Sequence, residues 1–518
     1  MSLSIHPPSS SSGGDEPGFG TFRDPRTFVR VFVGAFLRDV HSFYPGCRIE
    51  PVPAPGAGRL TVASGRSNPG DGLGFEMADE DGDRTTAVWV SLFGTWHRLV
   101  PERPLGLGAQ DRRLIRAVAA VLELNFQILF RRSRMSILQL RRGMPEDHYV
   151  AACLEPSAYA PAASATSRIA EAILTLRTMA LSTYENRRVT TGALILGLVG
   201  DRGEGEDRRP APPEALDFGV ELTSLKSLHR LCDGRRTLFL VDRDGKLADV
   251  VDIRRWAGRD DQALADETPA RDVPCARSYS AHARATRGGG DVCLVLSPNQ
   301  EIKVFADGMQ AFVFAHGRWR VLDPESKFAV WQAALSNPRL ARILFQAALD
   351  LAEERQGGLL VVVDDSSQAI GRLLAPQDVL DFETEAGGEP EPDPEPGPTA
   401  LQVVDPWSDA ATAGEPVVEA LTKGSIRYLA GNRSLLSLDA SVVEALASLD
   451  GALVTDGDGR LLAFGAILRH DAHSSIQATA EGARTTAAIV ASRYGPVLKV
   501  SEDGIVSCFL GGERVWDL

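Results

Sequence analysis

The chain has 518 residues, 44% of them apolar and 24% charged, with a formal net charge of −14. That is globular composition with room for two to four domains, each burying its own core. The acidic balance, and the lack of any Lys/Arg block interleaved with aromatics, argue against nucleic acid as a partner. No run reaches the ~18 apolar residues a spanning helix needs, which argues against a membrane.

The first 20 residues, Ser/Pro/Gly-rich from Ser4 to Gly20, read as a disordered tail without the basic start and apolar core of a signal peptide. The cysteines Cys47, Cys153, Cys232, Cys275, Cys293 and Cys508 form no Cys-x-x-Cys pair and no His-spaced zinc set. Isolated thiols without a leader lead us to expect a cytoplasmic protein.

An N-terminal α/β domain is expected over 21–150. Arg26 to Leu37 reads as a helix and Thr86 to Phe93 as a short strand. Asp111 then caps a long helix whose apolar set is Leu114, Ile115, Val118, Val121, Leu122 and Phe126. Arg131 and Arg132 near its end suit the helix dipole.

A β-rich domain is expected over 160–325. Ile169 to Tyr184 has helical periodicity, Val189 to Val199 reads as a buried strand, and Asp201 to Pro213 as a charged loop. Thr237 to Val241, Leu247 to Ile253, Val292 to Leu296, Ile302 to Phe305 and Ala311 to Phe314 are short apolar runs. Asp244-Gly245 and similar turns between them predict hairpins. Gly288-Gly289-Gly290 precedes a strand rather than a helix, so it is a connection and not a phosphate loop. The stretch from His282 to Arg287 reads as a solvated loop.

The third domain is expected over 335–518. Asn337-Pro338 supplies an N-cap and a proline at N1. Leu340, Ile343, Leu344, Ala347 and Leu351 line one face of the helix that follows, and Gln356-Gly357 closes it. Gly358 to Val363 is a continuous apolar strand. Residues 383–400, acidic and proline-rich, cannot pack a core and read as a disordered insertion. A helix over Ser441 to Leu449 leads into strands Ala452 to Thr455 and Leu461 to Leu468, joined by a tight Asp456 to Gly459 turn. Thr485 to Ser492 is helical or turning, and Val497 to Val500 pairs with Ile505 to Leu510. The expected fold class is thus α/β (α+β) multidomain: a C-terminal mixed sheet flanked by helices, preceded by two α/β units.

Three turns in this last domain carry the chemistry: Leu449-Asp450-Gly451-Ala452, Gly482-Ala483-Arg484-Thr485-Thr486-Ala487-Ala488, and Val500-Ser501-Glu502-Asp503-Gly504. Acids in the first and third are of the type that holds a divalent metal, and the Gly-x-Arg turn is of the type that holds phosphate oxygens. In this order, over 335–518, the turns resemble those of the diadenylate cyclase domain found in DNA-integrity-scanning and membrane-bound cyclases. That resemblance implies a nucleotidyltransferase that condenses two ATP into a cyclic dinucleotide, cyclic di-AMP, with Mg²⁺ or Mn²⁺. It also implies a homodimer or higher homo-oligomer, because two nucleotide-loaded domains face one another, with the upstream domains as sensors.

By the same resemblance Asp450 binds metal and activates the hydroxyl, Arg484 clamps phosphate, and Glu502 and Asp503 complete the metal shell. Gly451, Ala452, Leu468, Gly482, Ala483, Thr485, Thr486 and Ser501 would line the nucleotide. The family's turn is Gly-Thr-Arg-His-Arg-Ala-Ala, so Thr485 and Thr486 stand where a histidine and a second arginine are usual. Losing two preorganised cationic donors costs about 2–4 kcal/mol each in phosphoryl transfer, so a domain that binds nucleotide without turnover is the alternative. Taken singly, Asp450 is a turn residue, Arg484 a surface ion pair and Ser501-Glu502-Asp503-Gly504 a hairpin turn. His470 and His473 read as exposed loop histidines, and Trp331 and Trp407 as packing residues.

Overall fold

A computed structural model describes residues 25–53, 61–63, 75–79, 87–93, 95–102, 105–130, 142–160, 167–197, 214–225, 231–264, 273–288, 290–375, 378–380, 433–469 and 482–518. The expectations for the tail, Arg131 and Arg132, the 201–213 loop, the 383–400 insertion, Trp407, His470 and His473 lie outside the described residues. The protein is an α/β chain with mixed sheets, and it divides into two compact units. The first comprises 1–273 with 279–324, the second 274–278 with 325–518.

In the first unit α1 (Pro25–Phe43) leads into an antiparallel sheet. It is built from β1 (Arg48–Val52), β2 (Thr61–Ala63), β3 (Phe75–Asp79), β4 (Val88–Leu92) and β5 (Thr95–Val100), in the order β1-β5-β4-β3-β2. Helices α2 (Ala109–Phe130), α3 (Pro145–Leu154) and α4 (Arg168–Ala180) follow, then a ribbon of β6 (Thr183–Tyr184) and β7 (Arg187–Arg188). A seven-stranded sheet comes next, built from β8 (Thr191–Ile195), β9 (Thr237–Val241), β10 (Leu247–Asp252), β11 (Val292–Leu296), β12 (Ile302–Ala306), β13 (Met309–Ala315) and β14 (Arg318–Val321). Its order is β10-β9-β8-β11-β12-β13-β14, with β8 and β9 parallel. Helices α5 (Ile253–Leu264) and α6 (Ser280–Ala285) lie between β10 and β11 in sequence.

The apolar set expected on α2 is buried in full; Phe126 packs on Phe32 and Phe93, and the other five share one continuous core with Val88 and Val90 of β4, Ile173 and Leu176 of α4, and Leu294 and Val304 of the larger sheet. Asp111 sits inside the first turn of α2 rather than before it, and its carboxylate accepts the Gly108 amide at 2.8 Å. Asp147 of α3 is buried. It accepts from Arg177 of α4 at 2.6 Å, the Trp319 indole of β14 at 2.8 Å and the Met144 amide at 3.2 Å. A buried carboxylate satisfied from three directions fixes the relative placement of those elements.

One sequence expectation is corrected in this unit. His282 to Arg287 is not a solvated loop, because Ser280 to Ala285 form α6 and His282 and Thr286 are fully buried. The His282 ring lies between Tyr279 and Phe305, and its Nε2 stands 3.0 Å from the Gly234 carbonyl oxygen, so Nε2 carries the proton. Small residues at 281, 283 and 285 let this short helix approach the sheet closely.

The second unit opens with α7 (Pro324–Ala333) and α8 (Pro338–Glu353). Asn337 caps α8, its side-chain oxygen accepting the Arg339 and Leu340 amides. The helix closes at Arg355 (φ +58°), two residues before the expected Gly357, with the Gln356 amide donating to Leu351 O. Trp331 packs as expected, fully buried with its indole N–H on Ala341 O.

After β15 (Gly358–Val363) come α9 (Ser366–Ala369), α10 (Ala440–Ala447), β16 (Ala452–Asp456), β17 (Leu461–Ala466), α11 (Ala483–Ala491), β18 (Val497–Val500), β19 (Val506–Leu510) and β20 (Glu513–Asp517). The sheet order is β17-β16-β15-β18-β19-β20. Strand β15 is parallel to β16 and antiparallel to β18. A strand buried at every position, with a parallel neighbour, is a central strand, as its unbroken apolar run requires. Leu359, Val361 and Val363 face α11 together with Val454 and Val497, while α8 and α10 cover the other face. The short segment 274–278 belongs to this unit: Asp350 of α8 accepts the Arg277 amide and Nε at 2.7 Å each, Arg277 also pairs with Glu444, and Gln346 donates to Cys275 O at 2.6 Å.

The chain enters β16 through Gly451 at φ +115°, and a Cβ there would lie 2.6 Å from Gly465 O and 2.7 Å from Ala466 O. Gly451→Ala is therefore expected to destabilise the protein by about 3 kcal/mol, combining strain and overpacking. Gly482→Ala, at φ +92° but facing open space, should cost only about 1 kcal/mol. Urea unfolding of both variants checks the contrast; equal losses would show that crowding at Gly451 is unimportant.

Burial pushes the His282 pKa down from 6.5 to about 4, against a small opposing effect of the Gly234 carbonyl and Asp233. The unfolded chain therefore takes up a proton near pH 6.5 that the folded chain refuses until about pH 4. This contribution to stability is flat above that window, falls through it as pH drops, by about 3 kcal/mol, and is flat again below it. Replacing His282 by Gln should remove that slope. The stability difference between wild type and variant, measured from about pH 7 to pH 4.5, is expected to shift in the variant's favour by roughly 2–3 kcal/mol.

Candidate functional site

Strand register gathers the three turns. Leu360 is level with Leu453 across the parallel pair, and Gly358 is level with Val500 across the antiparallel one. The residues just outside the sheet at that end are therefore Gly357, Asp450 with Gly451, and Ser501 with Glu502. Helix α11 begins at the same end, because it packs along β18 and its first turn meets Lys499.

Arg484, in that first turn, is the centre of the cluster. One terminal nitrogen of its guanidinium lies 3.2 Å from Glu502 Oε1 and the other 3.7 Å from Asp450 Oδ1. The guanidinium covers Gly357, and a Cβ on that glycine would collide with it. Both carboxylates are open to water, 93% exposed for Asp450 and 76% for Glu502, whereas Arg484 is 40% exposed. Ion pairs this wet hold their geometry weakly, by about 0–1 kcal/mol, so they yield readily to a competing ligand.

The remaining sequence-predicted residues divide in two. Gly482 is the N-cap of α11, Ala483 opens the helix, and the Thr486 hydroxyl is within 3.5 Å of Gly482 O. Thr485 points inward: it is 1% exposed, and its Oγ1 accepts from Lys499 Nζ at 2.9 Å. Ala452 and Leu468 are buried in the core beneath the site. Asp503 is turned away from Arg484 towards its own hairpin, where its carboxylate takes the Ser501 hydroxyl and its carbonyl takes Arg355. The structure thus brings Asp450, Arg484 and Glu502 together, with Gly451, Gly482 and Ser501 beside them, and does not bring Asp503 to the cluster.

Among the described residues no group of three or more His, Cys, Asp and Glu side chains is placed to form a metal cage. Asp450 and Glu502 are hard, exposed oxygen donors. That donor set fits a hydrated divalent cation that takes its remaining ligands from water and phosphate. Sequence reasoning missed Gly357, Lys499 and Arg355. Lys499 left a signal: it is a lone charge inside the apolar run Val497-Leu498-Lys499-Val500.

Among the described residues no helix is long and apolar enough to cross a membrane. No protein-family model matches the chain, and no curated protein matches it. Among solved structures, the chain is similar to a hypothetical membrane spanning protein from Bacillus cereus, at 16% identity over 36% of this chain and 67% of that one, with a TM-score of 0.21. At that level the likeness assigns neither fold nor function.

Proposed function

We propose that the second unit is a nucleotidyltransferase of the diadenylate cyclase kind, joining two ATP into cyclic di-AMP under control of the first unit, in the cytoplasm. The observation that carries this reading is the convergence of Asp450 and Glu502 on the Arg484 guanidinium at the end of the sheet. Two exposed acids and one arginine at a helix start are the groups a metal-loaded triphosphate needs.

In this reading Asp450 and Glu502 hold Mg²⁺ or Mn²⁺, which supplies charge neutralisation at the phosphates when bound. Asp450 also orients the 3′-hydroxyl and accepts its proton. Arg484 leaves its carboxylate partners and donates both terminal nitrogens to the α-phosphate that the hydroxyl attacks. Each 3′-oxygen forms one bond to the other nucleotide's α-phosphorus and each ATP releases pyrophosphate, so two copies of the unit must meet face to face, at least transiently. The alternative, nucleotide binding without turnover, draws support from the inward turn of Thr485, which removes one hydroxyl from the phosphate side.

Incubation of the full chain with ATP and Mn²⁺, followed by mass spectrometry, is expected to yield cyclic di-AMP at a rate that rises more than linearly with protein concentration. A folded sample that binds ATP and yields none rejects the cyclase and leaves the binding module. Asp450→Asn should lower turnover by a factor of about 100 or more, the scale of losing a positioned catalytic base, while ATP affinity changes by less than about tenfold.

A further inference from the structure

We infer that the first unit binds a small organic dication, an alkyl diamine, in a cleft at the carboxyl ends of strands β8 and β9. The cleft shares no residue with the cluster around Arg484, and the inference does not depend on the nucleotide reading.

Topology sets the place. Strands β8 and β9 run parallel, with Ile195 level with Val241, and the crevice past the carboxyl ends of parallel strands is where such sheets receive ligands. Here it is lined from three sides. The first turn of α4 brings Glu171, the turn between β9 and β10 brings Asp244, and residues 217–221 bring Phe218, Val220 and Glu221. The Phe218 amide donates to Gly245 O at 2.9 Å and Asp217 pairs with Lys246 at 2.8 Å, which fastens the third wall to the second. The cleft holds about 270 Å³, room for about nine water-sized groups.

Its charge selects a cation. The positive groups at its inner end are already matched within the protein. Arg168 donates Nε to buried Glu155 at 2.9 Å and a terminal nitrogen to Leu196 O at 3.0 Å and Asp242 O at 3.3 Å. Glu155 also accepts the Ser167 hydroxyl and the Ile169 amide, and the Ser167 hydroxyl accepts the Ala170 amide, so the start of α4 is capped from inside. The carboxylates of Glu171, Glu221 and Asp244, by contrast, have no ion-pair partner among the described residues, and neither has the guanidinium of Arg142 on the rim. Three carboxylates against one guanidinium favour a ligand with two positive charges.

The floor decides what kind of dication. Phe218 and Val241 are buried, and they put hydrocarbon beneath the acids. A methylene chain gains from that surface while an ammonium at each end meets a carboxylate. A hydrated metal ion gains nothing from it, since hard cations require oxygen ligands.

The test is calorimetry on the full chain with 1,4-diaminobutane, butylamine and 1,4-butanediol, which share a carbon chain and differ in charge. The diamine is expected to bind saturably, with butylamine at least about threefold weaker, the scale of one exposed ion pair, and no binding of the diol. Glu171→Gln combined with Asp244→Asn should weaken the diamine about tenfold and bring it within about twofold of butylamine. Arg142→Gln, which removes the opposing charge, should tighten the diamine by about twofold to fivefold. Glu221→Gln should weaken the diamine about threefold, and it covers the case in which the double variant does not fold. Equal binding of diamine and butylamine, no saturable binding up to about 10 mM, or unchanged diamine affinity in the folded double variant overturns the assignment. So does a diamine affinity that falls in Arg142→Gln.

Discussion

The arrangement of the second unit depends on a close approach at Gly357 and Gly358. A Cβ on Gly358 would lie 2.9 Å from both the Ala447 carbonyl and a Leu351 methyl, so α8 and α10 reach the first residue of β15 only because nothing projects there. On the next residue back, the space a side chain would fill is taken by the Arg484 guanidinium. Strand β15 is the spine of the sheet, and these two positions set how tightly helices close on one of its faces and how the arginine lies over the other. Packing density at that point is therefore what turns three separate turns into one cluster.

The two units use charge in opposite ways. In the first, Asp147 is buried and fully occupied by Arg177, Trp319 and a backbone amide, so its charge serves to position helices and strand. In the second, Asp450 and Glu502 are wet and share one guanidinium at distances that cost little to break. The difference follows from desolvation: a carboxylate removed from water must keep its partners, while an exposed one can exchange them. Exchangeable partners are what a binding site requires.

Much of the second unit was legible because its signals are local. The Asn337-Pro338 cap, the unbroken apolar run of β15 and the Asp456 to Gly459 turn each depend on a few neighbouring residues. The α2 face was legible for the same reason, since its period alone selects the buried set. The His282 segment was misread because its burial comes from the sheet it lies on, and small residues beside a histidine and an arginine look the same in a loop. The site was half legible. The three turns stand out in the sequence, but register between residues about a hundred positions apart is what sets Asp450 beside Arg484, and the hairpin's own contacts send Glu502 to Arg484 and Asp503 to Ser501 and Arg355. Lys499 stands out as a lone charge in an apolar run, but the run does not disclose the Thr485 hydroxyl it meets.

Residues 274–278 pack with the second unit although the chain then returns to the first before leaving it at Pro324. The connection between the units is therefore threaded more than once. A protease cut or a gene boundary placed at residue 325 would separate α8 from the segment that neutralises Asp350. That carboxylate, 6% exposed, would lose the Arg277 guanidinium and amide together, and Glu444 would lose the same guanidinium. The second unit is thus not a module that can be transplanted by its C-terminal stretch alone. Within the second unit the 274–278 segment ties α8 to α10 through Asp350 and Glu444, and these are the two helices whose approach to β15 shapes the cluster.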